Sequence, residues 1–201
     1  ALAEETQPRY VFHLAANASV PLSVERPEWD FESNCLATVR LLESMRQVVP
    51  GVRFVFASSG AVYGEPDVFP ITENTPLRPI SPYGTSKVAA ETQCRLYHQL
   101  YKLDAVVVRI FNTYGPRLPR FVVLDFLRKL RANPRRLEIL GSGNQIRDFN
   151  YVADTVQGLL MVAERGHGGE SYNMASGSSY TIRQLAEKLV NVLGLPFVPK
   201  I

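Results

Sequence analysis

Short, unbroken apolar runs alternate along this chain with longer stretches in which apolar residues recur every three or four positions. Tyr10, Val11, Phe12, His13 and Leu14 form the first run, residues 53–57 the second and residues 105–111 the third. Runs without a polar alternation predict strands covered on both faces. Between them the helical period covers residues 29–48, stopped by Pro50-Gly51, then residues 82–102 and residues 121–132. Strand and helix in this alternation predict an α/β fold, a doubly wound parallel sheet with right-handed crossovers. Ligands of such sheets sit beyond the carboxyl ends of the strands. That rule directs attention to Ala15, Ser58-Ser59 and Asn112, each placed directly after a run.

The last third has a different rhythm. It predicts a short strand over 136–140, a turn at Gly141-Ser142-Gly143-Asn144, a helix over 151–164, a strand over 171–175 and a helix over 181–193 ended by Gly194. The expected division is a sheet domain over 1–135 and the start of a smaller α/β lobe over 136–201, with some chain crossing between them. A Rossmann-type sheet that binds a dinucleotide opens on a strand followed by a Gly-rich turn, whose backbone N–H groups meet pyrophosphate at a helix N-terminus. The sequence has no such turn. Gly141 and Gly143 precede no helical pattern, and Gly166, Gly168 and Gly169 punctuate a loop. The residues before Tyr10 read as the tail of a helix. The expectation is that the N-terminal strands are missing, at least two strand–helix units on the order of 60 residues.

Composition narrows the function classes. At 46% apolar and 20% charged residues the chain reads as an ordinary globular protein, neither disordered nor membrane-spanning. Twenty-two basic against 19 acidic residues leave a net charge of +3, too small a field to suggest nucleic acid. Arg131, Arg135 and Arg136 read as a solvated helix end. Cys35 and Cys94 lie far apart in apolar stretches and read as buried free thiols of a reducing, cytoplasmic compartment; a metal site lacks partners. The first residues carry no basic-then-apolar signal pattern.

Two clusters carry candidate chemistry. Tyr83 and Lys87 are four apart, hence on one helix face, with Ser81-Pro82 as a helix start. The ammonium beside the phenol would lower the phenol's pKa from about 10 toward neutrality and make it a usable acid/base; the helix dipole works the same way. The competing reading is a solvated helix face. Ser58-Ser59, ahead of Gly60-Ala61-Val62-Tyr63-Gly64, offers a hydroxyl that could bind a sugar hydroxyl and relay its proton, against the alternative of a Ser-rich turn.

Five stretches, in order and at matching spacing, resemble the extended short-chain dehydrogenase family, the NAD-dependent epimerase/dehydratase group. They are His13-Leu14-Ala15-Ala16; Ser58-Ser59 with Val62-Tyr63-Gly64; Tyr83 with Lys87; Arg109 through Arg117; and Arg147-Asp148-Phe149-Asn150-Tyr151-Val152 with Asp154. The resemblance implies that residues 1–135 are the remainder of an NAD-binding Rossmann domain and 136–201 the start of a substrate-binding lobe. It implies Ser59, Tyr83 and Lys87 as the catalytic set. Ala15, Ala16, Asn34, Ser58, Tyr83, Lys87 and Phe111 would bind the cofactor NAD, with Phe111 beside the nicotinamide. Ser59, Asn112 and Arg147 would bind the substrate, the last two holding its diphosphate, an amide donor and a guanidinium fork. Outside the family context Asn112 reads as a capping residue and Arg147 as a surface charge.

The family's shared opening step has Tyr83 take the proton of a sugar 4-hydroxyl while C4 gives hydride to NAD. Dehydratases place an acid and a base, usually Asp-Glu, beside the catalytic hydroxyl, and decarboxylases typically a Glu. Gly60-Ala61 supplies neither, which resembles the epimerase form and implies a nucleotide-sugar 4-epimerase acting on a UDP-hexose or UDP-hexuronate. The alternatives are another nucleotide-sugar enzyme of the group (4,6-dehydratase, decarboxylase or reductase) or a non-catalytic binding lobe. Arg120 could meet a sugar carboxylate but reads more simply as a surface charge. A homodimer through the helices over 29–48 and 82–102 is also expected, from the resemblance and from the apolar surplus of Leu36, Val39, Leu42, Leu96, Tyr97 and Leu100.

Overall fold

The computed structural model describes residues 2–196. In chain order its elements are α1 (Leu2–Thr6), β1 (Tyr10–His13), α2 (Val20–Glu25), α3 (Pro27–Phe31), a π-helical turn (Glu32–Leu36), α4 (Ala37–Val48), β2 (Arg53–Ser59), a 3-10 turn (Gly60–Tyr63), α5 (Pro82–Tyr101), β3 (Asp104–Ile110), β4 (Asn112–Tyr114), α6 (Val122–Ala132), β5 (Ile146–Tyr151), α7 (Val152–Arg165), β6 (Ser171–Met174), β7 (Ser179–Thr181) and α8 (Ile182–Val192). The chain divides into two compact units, residues 1–111 with 156–174, and residues 112–155 with 175–201.

In the first unit β1, β2, β3 and β6 form a four-stranded sheet in the order β1-β2-β3-β6, every pair parallel. The α/β fold with a parallel Rossmann-type sheet is therefore observed. Phe54 and Phe56 point to one face, against Leu42 and Met45 of α4 and Ala90, Cys94 and Tyr97 of α5. Val55, Val106 and Val108 point to the other, against Leu159 and Ala163 of α7. Burial on both faces is what the unalternated apolar runs require, and each fully buried phenylalanine contributes roughly 2 kcal/mol. Arg53 ties the sheet to the end of α7: its guanidinium binds Asp104 at 2.7 Å and the carbonyl of Gly166 at 2.6 Å, a cation at a helix C-terminus.

In the second unit β4 and β5 pair in parallel and β5 and β7 antiparallel. Phe126 and Leu130 of α6, Leu137, Ile139, and Ala186 and Val190 of α8 form its core. Thr181 and Gln184 close a capping box at the start of α8.

Several expectations are corrected. The strand over 136–140 is a single bridged residue, Glu138; Leu137 and Ile139 are buried, but the backbone makes no ladder. β4, β5, β7 and α2 were not foreseen. β2 runs two residues further than the apolar run, so Ser58 and Ser59 end the strand and do not follow it. The helix over 29–48 begins at Pro27 and passes through the π turn. The compact units part after Phe111, and residues 156–174 belong to the first unit, whose sheet β6 extends. Of the apolar residues offered as surplus, Leu42 and Tyr97 belong to the chain's own core, whereas Leu96 and Leu100 are exposed. Both cysteines are buried free thiols. Arg120, Arg131, Arg135 and Arg136 are exposed. Among the described residues no helix is long and apolar enough to cross a membrane, and no three His, Cys, Asp or Glu side chains group as metal ligands.

Candidate active site

The carboxyl end of β2 and the first turn of α5 meet in the first unit. Ser59 ends β2 and caps the 3-10 turn, its hydroxyl oxygen accepting from the Ala61 N–H at 3.2 Å. Ser81 caps α5 by accepting from the Gly84 N–H at 3.1 Å, and Pro82 opens the helix. Gly84 allows the two turns to touch: a Cβ there would lie 2.7 Å from the Ala61 carbonyl oxygen and 2.9 Å from Pro79. Ser23 of α2 accepts from the Tyr83 N–H at 3.1 Å, so a second helix holds the same turn. Tyr83 is thereby placed, mostly buried, at the start of α5 beside the turn that Ser59 begins.

One helical turn on, Lys87 is 3% exposed. Its ammonium donates to the Ala57 carbonyl at 2.8 Å and lies 4.8 Å from the centre of the Phe56 ring. Burial lowers its pKa from 10.5 to about 8, with Asp30, Cys94 and Glu91 acting in the opposite sense. Ser86 donates to the carboxylate of the fully buried Asp30 at 2.8 Å, and Asn34, in the π turn, donates to Ser86 at 3.0 Å and to Asp30 at 3.1 Å. The side-chain amide oxygen of Asn34, Oδ1, is buried and finds no hydrogen-bond partner among the described residues.

Ser58 faces a different network. Its hydroxyl donates to Glu91 at 2.5 Å, and Glu91 forms an ion pair with Arg109 at 2.8 Å, both side chains almost wholly buried. Arg109 also donates to the Tyr63 hydroxyl at 2.7 Å, which donates to the Asn173 carbonyl oxygen at 2.7 Å. Ser58, Glu91, Arg109, Tyr63 and Asn173 thus knit β2, α5, β3, the 3-10 turn and β6 together. Asp30 and Glu91 were missed by sequence reasoning. Each lies four residues from a noted position, Asn34 and Lys87, and that spacing on a half-apolar helix was the available signal.

Ala15 and Ala16 are exposed at the end of β1. The Phe111 ring stacks on Tyr63 with centroids 6.2 Å apart and fills the space at Gly60, where a Cβ would meet it at 3.1 Å. Asn112 and Arg147 belong to the second unit, on the neighbouring strands β4 and β5. Both are exposed; Asn112 donates to the Asp148 carbonyl at 3.1 Å and Arg147 to that of Ile146 at 2.8 Å.

Compared with known proteins, residues 1–199 match the GDP-mannose 4,6 dehydratase family. The chain belongs to it. Within this branch of the extended short-chain dehydrogenases it is 37% identical over 205 residues to a UDP-glucose 4-epimerase of Mycolicibacterium smegmatis, covering 99% of this chain and 64% of that protein. It is 34% identical to the human dTDP-D-glucose 4,6-dehydratase over 91% of this chain and 52% of the relative. Among solved structures it superposes on the Thermotoga maritima UDP-glucose 4-epimerase with UDP-glucose at a TM-score of 0.88, with 33% identity, over 99% of this chain and 66% of that one. RMD from Pseudomonas aeruginosa, complexed with NADPH, superposes at 0.90 with 31% identity, over 96% and 69%. The chain thus spans 64% of the Mycolicibacterium smegmatis protein and 61% of a relative from Methanocaldococcus jannaschii.

Proposed function

We propose that the chain carries the catalytic pair of a nucleotide-sugar 4-epimerase. Tyr83 is the acid/base on the sugar 4-hydroxyl, Lys87 holds the cofactor ribose and favours the phenolate, and Ser59 relays the proton. NAD, when bound, supplies acceptance and return of the C4 hydride. The residues present fit the ribose–nicotinamide part of such a group: small, exposed Ala15 and Ala16 follow β1, the Lys87 ammonium is held at the Ala57 carbonyl near the end of β2, and the buried Asn34 Oδ1 is left without a hydrogen-bond partner among the described residues. Asn34, Ser58 and Phe111 complete the cofactor wall, Ser58 through its backbone because its hydroxyl is committed to Glu91. Asn112 and Arg147 take the substrate diphosphate, and UDP is the nucleotide.

One observation carries the choice of reaction. Gly60-Ala61, directly after Ser59, offers no carboxyl group, and the Phe111 ring occupies the space a side chain at 60 would need. With no group to protonate a leaving hydroxyl, the 4-ketose can only turn over and recover its hydride on the opposite face. Two copies pair through the helical stretch over 29–48 and α5, a reading supported by exposed Phe31 on the first and Leu96, Leu100 and Tyr101 on the second.

The test is product analysis of the full-length enzyme with UDP-glucose and UDP-glucuronate. The C4 epimer should form without net change in cofactor absorbance, and Tyr83→Phe should abolish turnover while leaving the fold intact. A 4-keto-6-deoxy sugar as main product would make the enzyme a dehydratase, and an active Tyr83→Phe variant would remove the mechanism.

A further inference from the structure

Lys87 carries its charge where the surroundings oppose it. The Ala57 carbonyl and the Phe56 ring, its nearest partners, bear no net charge, and a buried ammonium in such company reverts to the neutral amine unless a carboxylate lies in range. Besides the Tyr83 phenol one helical turn before it, the ionisable groups that act on it are His13 from β1, Asp30 from α3, and Glu91 and Cys94 from its own helix. Three of these supply little negative charge. Glu91 is neutralised by Arg109 through hydrogen bonds of 2.8, 3.1 and 3.2 Å. Burial pushes the Cys94 thiol far above its ordinary range and pushes the His13 imidazole down, which keeps both neutral.

Asp30 differs. It is 0% exposed, and its carboxylate accepts from Asn17 at 2.6 Å, Asn34 at 3.1 Å and Ser86 at 2.8 Å. All three donors are neutral, so they fix the carboxylate in place without cancelling its charge. Ser86 precedes Lys87 in the chain, and its hydroxyl is within 2.9 Å of the Tyr83 carbonyl. The carboxylate is therefore tied to the one helical turn that carries both Tyr83 and Lys87. The π turn contributes here: the Ala37 N–H reaches back to the Glu32 carbonyl, and in that wide turn the Asn34 amide spans both Asp30 and Ser86.

We propose that Asp30 is the buried counter-charge of Lys87, a positioning residue that keeps the ammonium protonated for the Tyr83 phenol and, through Ser86, locks the turn of α5 between them. This rests on reading Tyr83 and Lys87 as the acid/base pair, but its test does not. In full-length protein labelled with 15N at lysine, the Nζ resonance of Lys87, assigned by its loss in Lys87→Met, is followed against pH without substrate. Asp30→Asn should lower the titration midpoint by about one unit or more. Ser86→Ala, which keeps the carboxylate, should leave it nearly unchanged. If Asp30→Asn does not fold, Asp30→Thr places a neutral acceptor at the same point and should give the same fall. An unchanged midpoint in a folded neutral variant overturns the proposal. So does an equal fall in Ser86→Ala, because loosened packing would then be the cause. Because no turnover is read, an active Tyr83→Phe enzyme would remove the proposed function and leave this result standing.

Discussion

Burial holds the Lys87 pKa at about 8, against an ordinary 10.5. At about 1.4 kcal/mol per unit, carrying the charge inside the fold costs roughly 3 kcal/mol. The folded pKa is the lower one, so between about pH 8 and 10.5 the unfolded chain binds the proton that the folded chain has released. Stability therefore rises with pH across that window; the full cost is present below it and gone above it. Lys87→Met keeps most of the side-chain volume and removes the charge, but leaves the Ala57 carbonyl without its 2.8 Å donor, a loss of about 1 kcal/mol. The variant should accordingly exceed the wild type by about 2 kcal/mol at neutral pH, shrinking to near zero by about pH 9.5. Urea unfolding followed by circular dichroism at the two pH values reads this directly, provided the denaturant slopes agree. A variant less stable than the wild type at neutral pH, or an advantage that does not shrink in alkali, would refute the reasoning. Turnover should be lost in the same variant, since the stabilising change deletes the group the site depends on.

Glu91→Gln leaves the Arg109 guanidinium buried without its counter-charge and should cost about 3–5 kcal/mol, read as a lower thermal midpoint; a neutral effect would show that the pair is not sealed from water. Gly84→Ala places a methyl 2.7 Å from a backbone carbonyl that cannot swing aside. It should cost about 1–3 kcal/mol and reduce turnover of the full-length enzyme further than the lost stability accounts for, because the turn carrying Tyr83 must shift.

The parallel sheet was legible because β2 and β3 are buried on both faces, and such strands leave an unmixed apolar signature. β5 left none: Ile146–Tyr151 includes Arg147, Asp148 and Asn150 and lies largely in the open. β4 and β7 have three residues each, too few to show a period. The failed strand at 136–140 shows the reverse limit. Leu137 and Ile139 do alternate toward a core, yet alternation reports which side chains face inward, not whether a partner strand is available to complete a ladder. That Tyr83 and Lys87 share the first turns of a helix could be read because their spacing and the Ser81-Pro82 helix start are local. For Asp30 and Glu91 the spacing from Asn34 and Lys87 was only a faint signal, since a charged residue on a helix faces water by default; their burial follows from donors brought by other elements, Asn17 and Ser86 for one, Ser58 and Arg109 for the other.

The same helix serves the core and the site, which explains how a loop-free geometry is maintained at Tyr83. Ala90, Cys94 and Tyr97 anchor the later turns of α5 against β2 and β3, while Ser81, Ser23 and Asp30 clamp its first turn through hydrogen bonds. A side chain carried on an element fixed at both ends loses little further freedom when substrate arrives, so less binding energy is consumed in ordering it. The cost sits in the buried charges of Lys87, Asp30 and Glu91, each of which a more stable apolar core would lack. On the proposed mechanism, stability at these positions and catalytic competence are therefore opposed, and substitutions there should separate the two in measurement.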